Sequence, residues 1–490
     1  MNDILFLLPE IYLAFTLALV IASEVAYHGE PRRLITGLAL LGLGGAFIQT
    51  LLAFRVAPVL VLDQALSMDG LSLFFKLFFI LLGALTLLAA RSSRELSEVN
   101  RPEFSALIIG CTLAMSIAVS ATDVLVIFLS IQVLNILGFL LAGFSKRSIR
   151  STEAAVKQLA FGAVAGLLFL FAIAMLFAST GSVSLLDLHR QLVQAPLPNQ
   201  AALVVFVLIF LSLGFQMATF PMSLAAPDVI EGSPTPVSGY LAIAPRVAGV
   251  AVAVRLLLVL FAQPELEPGR WQILGGVDWP RIVGLIAGLT MVSGALLALR
   301  QTSAKRLVAY LAVVESGFLL LGLLVLDQVG VGALLYSCLM QLFALTGAFL
   351  VLSHFWDELG TDRLSELKRL PRRAVPEAVA LVLFLASLVG LPPLPGFIGK
   401  FALVGVALQH QWSFLAVLAV LAMAISVIAL SRLAYGLMGD LRALPSQPAS
   451  LDSRPRRIFL GALFIPMFLL GIFAEPLLAW VTRSIRFILW

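Results

Sequence analysis

Along this 490-residue chain, polar positions gather in short clusters separated by long apolar runs. Most runs hold about 20 residues, the length at which a helix crosses the hydrocarbon core of a bilayer. The pattern predicts spans near 4–23, 34–54, 71–91, 104–120, 122–144, 154–178, 199–224, 236–262, 280–299, 306–325, 329–354, 375–408, 412–438 and 457–484. The fold expected is therefore all-α: a polytopic membrane protein with about fourteen transmembrane helices, residues 1–490 forming one transmembrane domain. The closest spans are parted only by Asp123 with its neighbours and by Asp327-Gln-Val-Gly. No loop is long enough for an appended domain. The longest polar stretch, from Glu358 to Pro376, reads as an amphipathic cytoplasmic connection.

Two runs are interrupted in similar fashion. One reads Gly214-Phe-Gln-Met-Ala-Thr-Phe-Pro221, the other Leu388-Val-Gly-Leu-Pro-Pro-Leu-Pro-Gly-Phe-Ile-Gly-Lys400. Proline removes an intrahelical hydrogen bond and crowds the preceding turn. Carbonyls freed at membrane depth are tolerated only against protein or a water-filled cavity. Paired broken helices in two halves of a chain mark an inverted-repeat transporter site, against the plainer reading of an ordinary proline kink. The breaks fall in the seventh and twelfth helices, five apart. This spacing predicts two inverted five-helix repeats, 104–262 and 280–438.

Composition agrees with a lipid environment. Hydrophobic residues make up 61% of the chain and charged residues 12%, against about 25% charged in soluble domains. The net charge of +5 follows from loop Lys and Arg rather than from a nucleic-acid partner. Loops after odd-numbered spans carry about five times as many Lys and Arg as loops after even-numbered spans. By the positive-inside rule this asymmetry puts odd loops in the cytoplasm and both termini outside. Met1-Asn-Asp-Ile offers no basic region before the first apolar run, so residues 4–23 read as a retained helix, not a cleaved signal. Cys111 and Cys338 stand far apart, and His28, His189, His354 and His410 are scattered near helix ends. That makes no metal, haem or iron–sulfur spacing, and no phosphate loop or nucleophile elbow occurs. No cofactor is expected in this chain.

A charge at mid-membrane costs at least about 2.5–3.5 kcal/mol on insertion scales, so each needs a partner, water or a task. The candidates are Lys76, Lys157, Arg246, Arg255, Glu315 and Lys400. Lys157 lies one turn after Glu153, within reach of a pair near the cytoplasmic end; the plainer alternative is a snorkelling lysine. Lys400 follows the second break and cannot easily reach either surface. Arg246 follows Pro245 and keeps its charge, so it can hold a field but is a poor proton carrier. Arg255 reads as an anchor near a membrane face and Lys76 as either kind. Glu315 either relays protons or pairs with a neighbour. Glu10 reads as a capping or interfacial carboxylate.

The string Ala226-Pro-Asp-Val-Ile-Glu-Gly-Ser-Pro-Thr-Pro-Val-Ser238, followed by Pro245-Arg-Val-Ala-Gly249, closely resembles the N-type antiporter-like subunits of respiratory complex I. Leu8-Pro-Glu10, Glu153-Ala-Ala-Val-Lys157, Lys305-Arg-Leu-Val-Ala-Tyr310 and Pro392 to Lys400 agree with the same family. The likeness extends over essentially the whole chain. It implies a membrane-arm subunit of an NADH:quinone oxidoreductase in the bacterial inner (cytoplasmic) membrane, contributing to proton translocation along buried charges. NADH, FMN, iron–sulfur clusters and quinone would belong to partner subunits, and the partners would be other membrane-arm subunits and the lipid bilayer.

Lys157 and Lys400 match the family's charged positions. Three positions depart: the helix-five glutamate is Gln132, the helix-seven lysine is Gln216 and the helix-eight lysine is Arg246. Losing only one member of a buried pair would strand the other, at about 3–5 kcal/mol. Losing both leaves two amides able to bond each other or water. Folding is then preserved, but the usual charge switch of the first half is absent. The expectation is proton conduction that is weakened, rerouted through Lys157, Arg246 and Lys400, or absent. Two alternatives stand beside it: a structural, non-pumping subunit of the same assembly, and a Mrp-type cation/proton antiporter subunit, which would want the missing helix-five acid.

Overall fold

The computed structural model describes residues 6–26, 32–55, 57–96, 101–146, 148–265, 269–370, 374–437 and 454–485. His28, Arg147, Arg372, Arg373, Arg442 and the Met1-to-Ile4 segment lie outside them. Helices dominate: α1 Leu8–Ala26, α2 Arg32–Ala53, α3 Gly70–Ser92, α4 Arg101–Ser120, α5 Val124–Ala142, α6 Ile149–Thr180 and α7 Asn199–Met217. They continue with α8 Ala226–Gly232, α9 Thr235–Leu241, α10 Ala244–Phe261, α11 Trp279–Leu299, α12 Ala304–Leu324 and α13 Gln328–Leu359. The chain ends with α14 Val375–Val389, α15 Pro395–Gln409, α16 Ser413–Leu437, α17 Arg454–Ile472 and α18 Ala474–Ile485.

Among the described residues, 11 helices are long and apolar enough to cross a membrane, or 12 if the pair bent by 83° after Ile472 is one span. Two further expected spans fall on α1 and on the shorter apolar helices α14 and α15. The hydrophobic pattern did not foresee that bend. Nor did it foresee the division of span 236–262 into α9 and α10 ahead of Pro245. The stretch after Glu358 differs as well: α13 runs on to Leu359, and a 3-10 turn covers Leu364–Arg369.

An amphipathic helix, Leu185–Gln194, was also missed, being too short and too polar to read as a span. Its His189 is buried, with Nδ1 2.6 Å from the Val259 carbonyl. Burial pushes that imidazole's pKa down, against the opposing pull of the carbonyl.

Burial sorts the helices into centre and rim. Thr235–Phe261 and Ala304–Leu324 are buried along almost their whole length, as is α13. Outer helices present Leu41, Leu167, Phe414 and Tyr435 outward, an apolar coat suited to lipid. Arg246, Arg255, Lys305 and Glu315 all lie on the central helices, where no side chain can snorkel to a surface facing lipid.

Both interruptions obey one rule. α7 stops at Met217 and α14 at Val389, each four residues before a proline, Pro221 and Pro393. Proline has no N–H to offer the carbonyl one turn back, so the helix ends there. Each chain then turns through the left-handed region, at Ala218 (φ 54°) and Gly390 (φ 90°). A Cβ on Gly390 would also meet Lys400 Cδ at 2.8 Å, so glycine there serves both the turn and the lysine.

Two backbone bridges recur at corresponding places. Val124 N donates to Val183 O (3.0 Å) and Leu185 N to Thr122 O (2.8 Å), tying the start of α5 to the end of α6. Ala304 N donates to Asp362 O and Leu364 N to Thr302 O (both 2.8 Å), tying the start of α12 to the end of α13. α6 and α13 each have 32 residues and end on a left-handed glycine, Gly181 and Gly360.

α1, α3 and α10 are fastened to one another by buried ion pairs. Asp69 caps α3 by accepting from Ser72 N at 2.8 Å, and both its oxygens accept from Arg255 Nη2 at 3.0 and 2.9 Å. Arg255 is thus an anchor, as its position near the end of α10 suggested. Lys76 pairs with Glu10 of α1. Glu10 is therefore not a capping or interfacial carboxylate: it is 7% exposed and bound to a lysine with no exposure at all.

Removing one member of the Asp69–Arg255 pair leaves an uncompensated buried charge, at about 3–5 kcal/mol. Arg255→Met is expected to lower the thermal midpoint and the yield of folded subunit in detergent, and Asp69→Asn added to it to recover part of the loss. A double variant no better than the single would argue against the pair as the cause.

Candidate functional site

The sequence-selected residues form two clusters and a centre. At the loop end of α6, Lys157 Nζ lies 2.8 Å from Glu153 Oε1 and 2.7 Å from Asp228 Oδ2 on α8. Asp228 Oδ1 is 2.8 Å from Arg306 Nη2 on α12, and Arg306 Nη1 is 3.0 Å from Glu231 Oε2. Five charges from three helices are thus strung together, each about one-quarter or more exposed. The motif that carried the family resemblance supplies Asp228 and Glu231.

Deeper in, the first break is lined by amides. Gln216 Nε2 donates to Asn135 Oδ1 at 2.6 Å. The expected Gln132–Gln216 contact is not what forms: Gln132 stands one turn before Asn135 and packs against Gly166 on α6. Gln216 fits because Gly249 has no Cβ, which would lie 2.7 Å from Gln216 Cβ. A cavity of about 40 Å³ lies beside it, lined by Gln158, Gln216, Val229, Ile230, Arg246 and others. That volume holds about three waters.

Arg246 is 2% exposed. Its Nη1 donates to the Ala312 carbonyl, while Nε and Nη2 have no partner among the described residues. Buried guanidinium donors are satisfied almost without exception, and the adjoining cavity is where water can do it. Ala312 lies one turn before Glu315, so Arg246 ends where the next cluster begins.

That cluster sits at the second break. Lys400 Nζ lies 2.5 Å from Glu315 Oε1 and donates to Val389 O at 3.0 Å. Val389 O is the carbonyl that Pro393 cannot serve. The broken helix thus creates an acceptor and α15 brings a cation to it. Gln341 Nε2 on α13 donates to Glu315 Oε2 at 3.0 Å, and Lys400 stands 4.4 Å above the Phe318 ring. Side-chain exposure is 3% for Lys400 and 5% for Glu315. A small cavity of about 10 Å³, room for one water, touches Glu315, Ser337, Gln341, Ser387 and Lys400.

Sequence reasoning missed Asn135, Asp228, Glu231, Arg306 and Gln341. Asn135 carried a readable signal, an amide inside an apolar span. Asp228, Glu231 and Arg306 were read as motif and loop charges, because their meeting depends on α8 folding back between α6 and α12.

An apolar helical bundle with two interrupted members and charges buried between them is the architecture of an antiporter-like membrane subunit. A family model described as NADH:quinone oxidoreductase/Mrp antiporter, transmembrane, matches residues 121–426. NADH-quinone oxidoreductase subunit N of Anaeromyxobacter sp. strain Fw109-5 is 32% identical, over 98% of this chain and 96% of its own length. The subunit of the same name from Chlorobium chlorochromatii is 33% identical, over 96% and 93%. Among solved structures, a chain of respiratory complex I from Thermus thermophilus superposes with TM-score 0.79 at 27% identity, covering 96% of this chain and 98% of that one. The chain belongs to the NADH-quinone oxidoreductase subunit N family, the antiporter-like membrane-arm subunits of complex I.

Asn135→Glu or Gln216→Lys alone buries a charge opposite a neutral amide, whereas the two together rebuild an ion pair. The double variant is expected to retain more folded subunit, and a higher thermal midpoint, than either single change. Additive losses would disprove the Asn135–Gln216 contact.

Proposed function

We propose that this chain conducts protons in the membrane arm of a complex I-type NADH:quinone oxidoreductase, through Lys157, the cavity at Gln216 and Arg246, and the Glu315–Lys400 pair. Redox chemistry, with NADH, FMN, iron–sulfur clusters and quinone, belongs to partner subunits, and this chain needs no cofactor of its own. It lies in the bacterial cytoplasmic membrane with both termini outside.

The observation that carries this reading is the Glu315–Lys400 pair, held at the second break with a water-sized cavity beside it. Both members can exchange a proton, and a buried pair that opens and closes changes the cost of keeping either charge. Arg246 keeps its charge, so it acts as a fixed field between the two halves rather than as a carrier. Glu153 and Asp228 hold Lys157 at the loop end, where a proton can be taken up from water.

Two inverted repeats, 104–262 and 280–438, are part of the proposal. The paired backbone bridges support them, since five spans between the bridges place them on opposite faces. Asn135 and Glu315 each stand twelve residues beyond the cap of their helix, Asp123 and Ser303. The first half therefore holds a neutral Asn135–Gln216 contact where the second holds Glu315–Lys400. This neutral contact is also what favours the second reading, a structural subunit that keeps the interfaces without the transport.

Lys400→Ala and Glu315→Gln, introduced into the whole complex in proteoliposomes, are expected to lower the protons moved per NADH oxidised. A ratio equal to that of the unaltered complex would leave the structural reading.

A further inference from the structure

Among the described residues, Asp228 is the one carboxylate that pairs with a cation from residues 104–262 and with another from residues 280–438. Its two oxygens face different partners, Oδ2 toward Lys157 on α6 and Oδ1 toward Arg306 on α12. It belongs to α8, a seven-residue helix that hangs between the break after α7 and the turn into α9. The same helix supplies Ala226, Val229 and Ile230 to the wall of the cavity that holds Gln216 and Arg246. One face of α8 is therefore held by charges, and the other closes over buried donors that need water.

We propose that α8 gates water access to Arg246, with Asp228 as the positioning residue that ties the gate to the charge on Lys157. The inference rests on the proton-conducting reading above. While Lys157 carries its proton, Asp228 is divided between two cations and α8 is held centrally. When Lys157 gives its proton to water it becomes a neutral amine, and its bond to Oδ2 loses the charge-assisted part. Arg306 stays charged and draws Asp228 toward α12. A rigid helix of about two turns moves as a unit, so Val229 and Ile230 shift relative to Arg246 and the cavity changes size. A local charge event then acts on a two-position element. The other titratable or charged groups around the junction are Glu153 on α6, Glu231 on α8, and Tyr310 and Lys305 on α12. The fields of Glu95, Arg150 and Asp362 reach Lys305.

The test is the pH profile of protons moved per NADH by the whole complex in proteoliposomes. Asp228→Asn removes one of the two counter-charges of Lys157 and leaves Glu153, so the alkaline fall of the ratio is expected to move to lower pH. Arg306→Gln leaves Asp228 to Lys157 alone, so the same fall is expected to move to higher pH. Each shift should be about one pH unit, the size expected for one charge partner in half-solvated surroundings. Asp228→Glu should restore the original profile.

A purely structural role would move both profiles the same way, or neither, and either result overturns the gate. If Asp228→Asn does not assemble, Arg306→Gln decides alone, and a profile that stays put or moves down overturns it. Lys400→Ala run in parallel separates the two claims. A lowered ratio there, with no opposite shifts at Asp228 and Arg306, discards the gate and keeps the conduction.

Discussion

A charge inside an apolar helical bundle must be answered by another charge, by a carbonyl without its usual donor, or by water. The pairs Lys76–Glu10, Arg255–Asp69 and Lys400–Glu315 are answers of the first kind. Lys400 on Val389 O and Lys305 on Ser233 O are answers of the second. Arg246, with two donors turned toward a cavity, requires the third. The organisation of the protein follows from distributing these answers, because each misplaced charge would cost a large part of the stability a folded chain possesses.

The distribution separates pairs that fasten helices from groups that sit at the helix breaks. Asp69–Arg255 and Glu10–Lys76 tie α1 and α3 to the central helices, and Arg255 and Lys76 are fully buried. Glu315–Lys400 and the amides at Gln216 sit beside broken helices and adjoin small cavities. Helix breaks and water therefore go together here, for a physical reason: an interrupted helix exposes carbonyls, and carbonyls at membrane depth must be solvated by something.

At the first break an amide meets an amide. Gln216 finds Asn135 rather than Gln132, so the neutral contact is formed by two residues a hydrogen bond apart. No lone charge is left behind. At the second break Glu315 instead meets a lysine, Lys400, brought to it across the interruption.

The amino-acid sequence by itself determined the membrane class, the approximate placement of the spans, both proline interruptions and four of the buried cations, Lys76, Arg246, Arg255 and Lys400; it missed buried Lys305 and set Lys157 deeper than its 36% exposure. These follow from local rules: apolar run length, proline's missing N–H and the cost of a charge in lipid. Family membership was legible as well, in a short string whose letters survive without knowledge of their contacts. Tertiary structure alone decided the partners. Nothing local assigns Glu10 to Lys76, Asp228 to both Lys157 and Arg306, or Asn135 instead of Gln132 to Gln216. Those residues are far apart along the chain or differ by a single helical turn, and only the packing of α1 on α3, of α5 on α7 and of α8 between α6 and α12 brings the right atoms within bonding distance.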